Sequence, residues 1–260
     1  MLKKFYLFIV MVILIYSFIG CFSTNPIEET ESDNGEIPDS IKRVVMLELF
    51  VAPTCSRCPS AKLAAKSLSN KYGLDQLVIL EEYAWDDPNG VYTGWSTYEI
   101  FNRFKWYSKS TKTPHAFFNG LNQNIPYYEF SLFNYEEAIK AELNRSPKVS
   151  ISASYDIFAQ KITINGKIYN ISSGNLNKIV IGAMIYEDSV QLGNSIANHV
   201  VRDIIVSDTI DILTEGSNIT FYLESENLSN VKNMDNIHIV VYVQEPFIEN
   251  KEILQALYIE

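Results

Sequence analysis

Hydrophobic residues follow two different patterns along the chain. Two nearly continuous apolar runs, 44–52 and 77–83, are typical of strands that are covered on both faces. Between them, and again after the second run, apolar residues recur every three or four positions, which predicts amphipathic helices. Strand, helix and strand in this order predict a right-handed parallel crossover. From residue 149 onward apolar and polar residues alternate, which predicts half-buried strands.

Three helices are predicted before the alternating region. The first begins near Cys55 and ends near Asn70, with Gly73 as its stop signal. Its buried face is predicted to comprise small or apolar residues: Cys58, Ala61, Ala65 and Leu68. The second helix covers about 98–107, and its packed face is predicted to comprise Ile100, Phe101, Phe104 and Tyr107. The third covers 135–143 and closes this part of the chain.

The alternating region predicts about seven strands separated by turns, a pattern that favours an immunoglobulin-like sandwich. The predicted strands are 149–155, 162–168, 178–186, 199–207, 218–224, 237–245 and 253–259. In the predicted strand 162–168, the alternation of apolar and polar residues continues without a shift through Asn165-Gly166. We therefore predict one long strand with a glycine bulge there, although Asn-Gly often marks a hairpin turn.

The predicted fold class is an α/β domain over 41–146 followed by an all-β, immunoglobulin-like sandwich domain over 147–260. A length of 260 residues agrees with two domains. Residues 21–40 are rich in Asn, Pro, Glu, Ser, Thr and Asp and almost free of apolar side chains. This composition predicts a disordered acidic tether, because such a segment cannot bury enough apolar surface to fold.

The first twenty residues have the features of an export signal. Lys3 and Lys4 form a basic start, and the apolar segment 5–20 is short for a membrane span and lacks a basic stop. Its ending resembles the cleavage box of bacterial lipoproteins, so we predict a lipoprotein signal peptide over 1–20 and lipidation of Cys21. Lipidation of Cys21 would leave the other two of the three cysteines as a pair. A soluble exported protein and an uncleaved anchor are the alternatives.

Cys55 and Cys58 follow the first apolar run with the spacing Cys-x-x-Cys. The free N–H groups and the dipole of a first helical turn stabilise a thiolate, and such motifs favour it at their first cysteine. Pro59 is compatible with a first turn. We therefore predict a redox-active pair. A static disulfide and half of a zinc site are the alternatives, although zinc needs four ligands and the chain has only three histidines.

Further residues make the chain similar to the thioredoxin superfamily over about 43–145. Thr113-Pro114 leads into an aromatic segment that ends in Asn-Gly, which resembles the cis-proline loop and hairpin of that superfamily. The resemblance is closest to exported, outer-membrane-protein-type thioredoxin-like lipoproteins, whose members carry an extra β-domain. It rests on Glu-Leu-Phe before the cysteines, Cys-Ser-Arg-Cys-Pro, Arg103 with Tyr107, and Thr113-Pro114.

The resemblance implies an enzyme that exchanges disulfides with other proteins. Cys55 would be the attacking thiolate and Cys58 the resolving thiol. Thr113-Pro114 would bind the substrate peptide, and Ser56 and Arg57 would adjoin it and set the redox poise, Arg57 by favouring a nearby thiolate. The expected partners are protein thiols or disulfides and, through the lipid anchor, a membrane. We expect a monomer without metal or cofactor, anchored in the bacterial cell envelope and either periplasmic or surface-exposed.

Net charge excludes one class of function. The chain carries a net charge of -10. Proteins that bind nucleic acids present a basic patch or stripe, and a chain this acidic has no such electrostatic footprint. Nucleic acid is therefore excluded as a partner.

One position departs from the superfamily pattern. Thioredoxins and many relatives hold a buried acid or amide six residues before the first cysteine as a proton relay, and here Leu49 occupies that position. Glu48 is adjacent, but the alternation of a strand directs it to the other face. The departure keeps a second hypothesis open, namely a non-catalytic surface or binding lipoprotein with a thioredoxin-like fold and a static disulfide.

Aromatic residues are concentrated between the second strand and the proline loop. Trp85, Trp95 and Trp106 all lie there. We favour core packing over an aromatic wall that recognises a peptide. The segment 198–202 resembles a short motif of the same lipoproteins, and we expect His199 within it to have a packing role.

Overall fold

The computed structural model describes residues 41–86, 94–110, 112–192 and 195–260. The predicted signal peptide, Cys21 and the tether lie outside these residues. The described chain is mostly β, with fourteen strands, three α-helices and two short 3₁₀ turns. Among the described residues, no helix is long and apolar enough to cross a membrane.

Strands and helices alternate in the first part of the chain. β1 and β2 are parallel, as predicted, and β3 lies antiparallel on the other side of β1, followed by β4. The elements are β1 Val45–Val51, α1 Cys58–Tyr72, β2 Leu77–Tyr83, α2 Tyr98–Tyr107, β3 His115–Phe118, β4 Gln123–Ile125 and α3 Leu132–Leu143.

The second part consists of ten strands. They are β5 Val149–Phe158, β6 Lys161–Asn170, β7 Leu176–Glu187, β8 Val190–Leu192, β9 Ser195–Ala197, β10 Val200–Val206, β11 Ile210–Leu213, β12 Asn218–Glu224, β13 Ile237–Gln244 and β14 Ile253–Ile259. β12, β6 and β5 form a separate sheet, and β8 pairs with β9 as a hairpin. Apolar side chains of the three-stranded sheet pack against those of β7 and β13.

One mixed sheet crosses the predicted domain boundary. Its order is β14-β13-β7-β10-β2-β1-β3-β4, with β11 paired to β7. The two parts of the chain meet where β10 runs parallel to β2, and there the Glu81 N–H donates to the His199 carbonyl oxygen at 2.7 Å. β2 is therefore an interior strand of the sheet and has β1 and β10 as its neighbours.

The boundary predicted at 146/147 marks a change of secondary structure, and one cluster of buried apolar side chains crosses it. α3 ends at Leu143 and β5 begins at Val149, but the described residues on both sides belong to one compact unit. One core cluster contains Phe104 of α2 together with Val240 and Tyr242 of β13. The strands after residue 147 therefore complete the core of the first part.

Buried charges also join the two parts. The Arg43 guanidinium donates to the carbonyl oxygens of Leu254 and Ile253 at 2.5 and 2.9 Å, and it lies 3.1 Å from Glu142 and 3.3 Å from Glu252. Because all of these charges are shielded from water, the loss of one partner would leave an uncompensated buried charge.

The first two helices differ from their predictions in one respect each. α1 begins at Cys58 and not near Cys55, although its predicted buried face is confirmed and Gly73 ends it with a positive φ of 75°. α2 has the predicted bounds, but Phe101 is 39% exposed and Arg103 is buried instead. Arg103 is buried because it pairs with Glu48, which hydrophobicity alone does not reveal.

In the second part, β6 is the predicted single long strand, but it has no bulge. Its register with both neighbours is continuous through Gly166. The glycine leaves room for the Phe221 ring, which lies 2.4 Å from the position that a Cβ would take. The turn between β5 and β6 lies at Ala159-Gln160, where both residues have positive φ. The short strands β8, β9 and β11 were not predicted.

We predict that the two parts unfold together in urea. Tryptophan fluorescence reports the first part, because all three tryptophans precede residue 107, and far-UV circular dichroism reports mainly the ten strands of the second. The two curves should coincide. Arg43→Met should lower the free energy of unfolding by about 3 kcal/mol, and it should lower the urea midpoints of both curves equally. Lys161→Met, which breaks an exposed pair with Glu224, is the control and should leave them unchanged. Two separate transitions would contradict the shared core.

Candidate redox site

Cys55 and Cys58 form a disulfide between the end of β1 and the start of α1. Their Cα atoms are 5.4 Å apart. The chain turns after Ala52, whose carbonyl oxygen accepts from the Cys55 N–H at 3.2 Å, and α1 begins at Cys58 with Pro59 in its first turn. Proline fits there because the first helical N–H groups have no intrahelical partner.

The two sulfurs differ in exposure. Cys55 is half-buried, whereas Cys58 is only 3% exposed and packs in the core below α1. The Cys58 N–H donates to the Cys55 sulfur at 3.1 Å. A backbone donor and the positive end of the helix dipole favour a thiolate at Cys55 once the disulfide is reduced. Cys55 is therefore the sulfur that another thiol or disulfide can reach.

A cavity of about 350 Å³ opens beside the disulfide. It is lined by the end of β1, both cysteines, the start of α1, one residue of β2 and the β8–β9 hairpin. The side chains that shape it are Cys55, Cys58, Pro59, Lys62, Tyr83 and Ile196. The second part of the chain thus contributes one wall of the site, through Ile196, whose side chain is 66% exposed.

Lys62 connects α1 to β2 at this cavity. Its Nζ lies 2.7 Å from Glu81 Oε2 and donates to the Tyr83 hydroxyl at 3.1 Å. The contact with Glu81 is an ion pair and not a well-aligned hydrogen bond. Burial raises the pKa of Glu81 to about 7, and Lys62 only partly offsets this. Burial lowers the pKa of Lys62, but Glu81 and Tyr83 outweigh it, so that pKa is raised.

Trp95 packs behind the cavity. Its ring lies 5.1 Å from the ring of Tyr83, and the Arg202 guanidinium covers it at 5.1 Å. Arg202 in turn forms a buried ion pair with Glu187 at 2.8 Å. Trp95 therefore has the predicted packing role, since it supports Tyr83.

His199 has the expected packing role. Its backbone N–H donates to Asp188 Oδ1 at 2.7 Å, its carbonyl oxygen accepts from the Glu81 N–H, and its ring lies against Tyr186. Burial lowers the pKa of His199.

The proline loop lies beside the end of β1. The Thr113–Pro114 peptide bond is cis, as predicted. β3 begins next to it with His115 opposite Phe50, so Pro114 flanks the chain segment that leads to the cysteines. Pro114 is buried and Thr113 is half-buried.

Ser56 and Arg57 lie exposed between the two cysteines. Arg57 donates to the Tyr127 carbonyl oxygen at 3.4 Å, and Lys112 of the proline loop donates to the hydroxyl of the same tyrosine at 3.0 Å. Tyr127 therefore links the cysteine turn to the proline loop. The roles of Ser56 and Arg57 toward a substrate stay predictions.

The predicted alternation of side chains between the two faces of β1 is confirmed. Leu49 packs on the face of the sheet that holds Cys58, and Glu48 lies on the opposite face. There Glu48 pairs with Arg103 and accepts from the Tyr107 hydroxyl at 2.8 Å. Burial and the nearby Glu48 raise the pKa of Glu82 well above its ordinary value.

Sequence reasoning missed Lys62, Glu81, Tyr83 and Ile196. A signal existed for Lys62, because it follows Cys58 by four residues and so lies one helical turn further along α1. Within the described ranges, no group of three or more His, Cys, Asp or Glu side chains is arranged to hold a metal ion.

Sequence comparison identifies no relatives: no protein-family model matches the chain, and no curated protein does. Solved structures do match. HBP35 of Porphyromonas gingivalis has a TM-score of 0.67 at 15% identity, over 84% of this chain and 75% of its own. A protein from Agrobacterium tumefaciens has a TM-score of 0.58 at 19% identity, over 84% and 95%. At these identities the likeness concerns the fold alone.

A domain of the outer membrane lipoprotein Omp28 from Porphyromonas gingivalis is also similar. It covers 44% of this chain and 88% of its own length at 20% identity. Its TM-score is 0.32, which is too low to support a conclusion.

Proposed function

We propose that this protein is a thiol–disulfide oxidoreductase that acts on protein substrates outside the cytoplasm. The observation that carries the proposal is the disulfide between a half-buried Cys55 and a buried Cys58, at a helix start and beside an open cavity. A purely structural disulfide gains nothing from an accessible sulfur or from a helix dipole directed at it. Thiol–disulfide exchange needs both.

The exchange would proceed in two steps. In the reduced protein the Cys55 thiolate attacks a substrate disulfide, forms a mixed disulfide and releases one substrate thiolate. Cys58 then attacks the Cys55 sulfur, which forms the Cys55–Cys58 disulfide and releases the second substrate thiol. The two electrons pass from the protein dithiol to the substrate disulfide. The reverse sequence oxidises a substrate dithiol.

Substrate binding is assigned to the surface around Cys55. The backbone at Thr113-Pro114 would pair with an extended substrate peptide, and Ser56 and Arg57 would flank its cysteine. The exposure of Ser56 and Arg57 and the position of the proline loop beside the end of β1 support this assignment. A positive charge at Arg57 would also favour the Cys55 thiolate.

The fold is assigned as a thioredoxin-like region over 41–146 joined to an immunoglobulin-like region over 147–260. Support for the first comes from the parallel β1–α1–β2 unit and the antiparallel β3 and β4, with the cysteines at the start of α1. Support for the second comes from the β12-β6-β5 sheet packed on β7 and β13.

A second candidate function is a binding or surface protein with a static disulfide. Leu49 favours it, because the face of β1 toward Cys58 carries no acid that could accept a thiol proton. Cysteine substitutions distinguish the two candidates.

We expect Cys58→Ala to trap substrates and Cys55→Ala not to. Without Cys58 no thiol of the same molecule can break the mixed disulfide on Cys55. Covalent complexes should therefore accumulate in the native host and disappear when reductant is added. Without Cys55 the remaining thiol is buried and attacks poorly. Non-reducing gels compare the two variants, and the unchanged protein is the control. Empty lanes for both variants would support the static disulfide.

The location follows from the N-terminal segment. We propose that the protein is anchored to a membrane of the cell envelope through a lipid on Cys21. The other two cysteines form the disulfide, which leaves Cys21 available for a lipid.

Mass spectrometry of the protein from its native host tests the anchor. It should find an acylated Cys21 at the N-terminus and no peptide from residues 1–20. Cys21→Ser should abolish the lipid mass and leave the disulfide intact. Recovery of residues 5–20 in the mature protein would contradict the proposed anchor.

A further inference from the structure

Cys58 needs a proton acceptor before it can attack a mixed disulfide, because the thiolate and not the thiol is the nucleophile. Its own surroundings disfavour a charge, since it is buried among apolar residues. The residues of β1 on the same face are all apolar: Val45, Leu47, Leu49 and Val51. A base must therefore come from another element.

The next strand supplies one on the correct face. Glu81 and Tyr83 alternate with Glu82 in β2, so they face α1 while Glu82 faces α2. Glu81 is 5% exposed and its carboxylate contacts Lys62. Lys62 extends from α1 one turn beyond Cys58, and it also bonds to the Tyr83 hydroxyl.

Lys62 connects two adjoining spaces. It lines the 350 Å³ cavity together with Cys58 and Tyr83, and it lines a second cavity of about 210 Å³ together with Glu81 and His199. The Lys62 side chain therefore lines one cavity together with the buried cysteine, and its amine contacts the buried carboxylate.

We propose that Lys62 and Glu81 accept the proton of Cys58 during the resolving step; this inference rests on the proposed exchange function. The Lys62 ammonium passes a proton to the Glu81 carboxylate and receives the proton of the Cys58 thiol. The Cys58 thiolate then forms the bond to Cys55, and the sulfur–sulfur bond to the substrate breaks. The proton returns from Glu81 through Lys62 to the departing substrate thiolate, so that charge and protons balance.

The surroundings of Glu81 suit this task. A general base works best when its pKa lies near the operating pH, and burial raises the pKa of Glu81 to about 7. The charged and titratable groups around it are Lys62 and Lys66 of α1, Tyr83 of β2, Asp188 after β7 and His199 before β10. Of these, Lys62 lowers the pKa of Glu81 and Asp188 raises it.

The experiment follows the two steps separately by stopped flow. The reduced protein is mixed with an equimolar amount of 5,5′-dithiobis(2-nitrobenzoate). The attack of Cys55 releases the first thionitrobenzoate, and the attack of Cys58 on the mixed disulfide releases the second. The rate of the second phase should rise with pH through an inflection near pH 7, because Glu81 accepts a proton only when it is ionised.

Glu81→Gln keeps the shape of the side chain and removes the base. We expect its second phase to be about 100-fold slower at pH 7.5 and the inflection near pH 7 to be lost. The first phase should be unchanged, and added imidazole should restore part of the second. Lys62→Met should slow the second phase similarly. Glu136→Gln, which breaks the pair between Lys71 of the same helix and α3, is the control and should have no effect.

Each outcome tests a different statement. A normal second phase with an unchanged pH profile in Glu81→Gln would overturn the relay and leave the exchange function intact. No first phase in the unchanged protein would overturn the exchange function itself. An equal slowing of both phases in Glu81→Gln, without rescue by imidazole, would show only a structural role for the carboxylate and would also overturn the relay.

Discussion

The pairing of β2 with β10 is the interaction on which the rest of the structure depends. Without it β2 would be an edge strand with a row of free N–H and carbonyl groups. The contact is short, with Val200 opposite Glu81 and one hydrogen bond from Glu81 to His199. It nevertheless joins strands from both parts of the chain into one sheet and places the β8–β9 hairpin, with Ile196, beside the disulfide.

The interior strand β2 carries two buried acids. Glu81 and Glu82 point to opposite faces of the sheet, where Glu81 contacts Lys62 of α1 and Glu82 lies near Arg103 of α2, and both are shielded from water. Burying a carboxylate is costly unless it is paired or takes up a proton. Glu81 is paired with Lys62, whereas burial and the nearby Glu48 raise the pKa of Glu82 well above its ordinary value. β2 therefore contributes a carboxylate paired with Lys62 to the site on one face, and a buried carboxyl group to the core on the other.

Local patterns predicted much of the fold. The bounds of β2, α2, β12 and β14 follow from periodicity, and so does the buried face of α1, because each depends on neighbours within a few residues. The cysteine pair was predicted for the same reason. The shared sheet was not, since strand order depends on contacts between residues that are far apart in sequence.

Other features depended on partners that periodicity does not show. Arg103 is buried because Glu48 lies opposite it, and Glu81 is buried on the face of β2 toward α1, where it contacts Lys62. Lys62 is the exception, since its spacing from Cys58 was visible in the sequence. The residues around the disulfide could therefore be predicted only in part.

The central claim is that the Cys55–Cys58 pair is redox-active, and its reduction potential tests this most directly. The protein is equilibrated with glutathione buffers of known ratio, the thiols are alkylated in acid, and the reduced fraction is measured by mass spectrometry. Exposure of Cys55 and stabilisation of its thiolate by the helix start predict a potential above about −300 mV, in the range of catalytic pairs. A value below about −300 mV, typical of structural disulfides, would contradict the account.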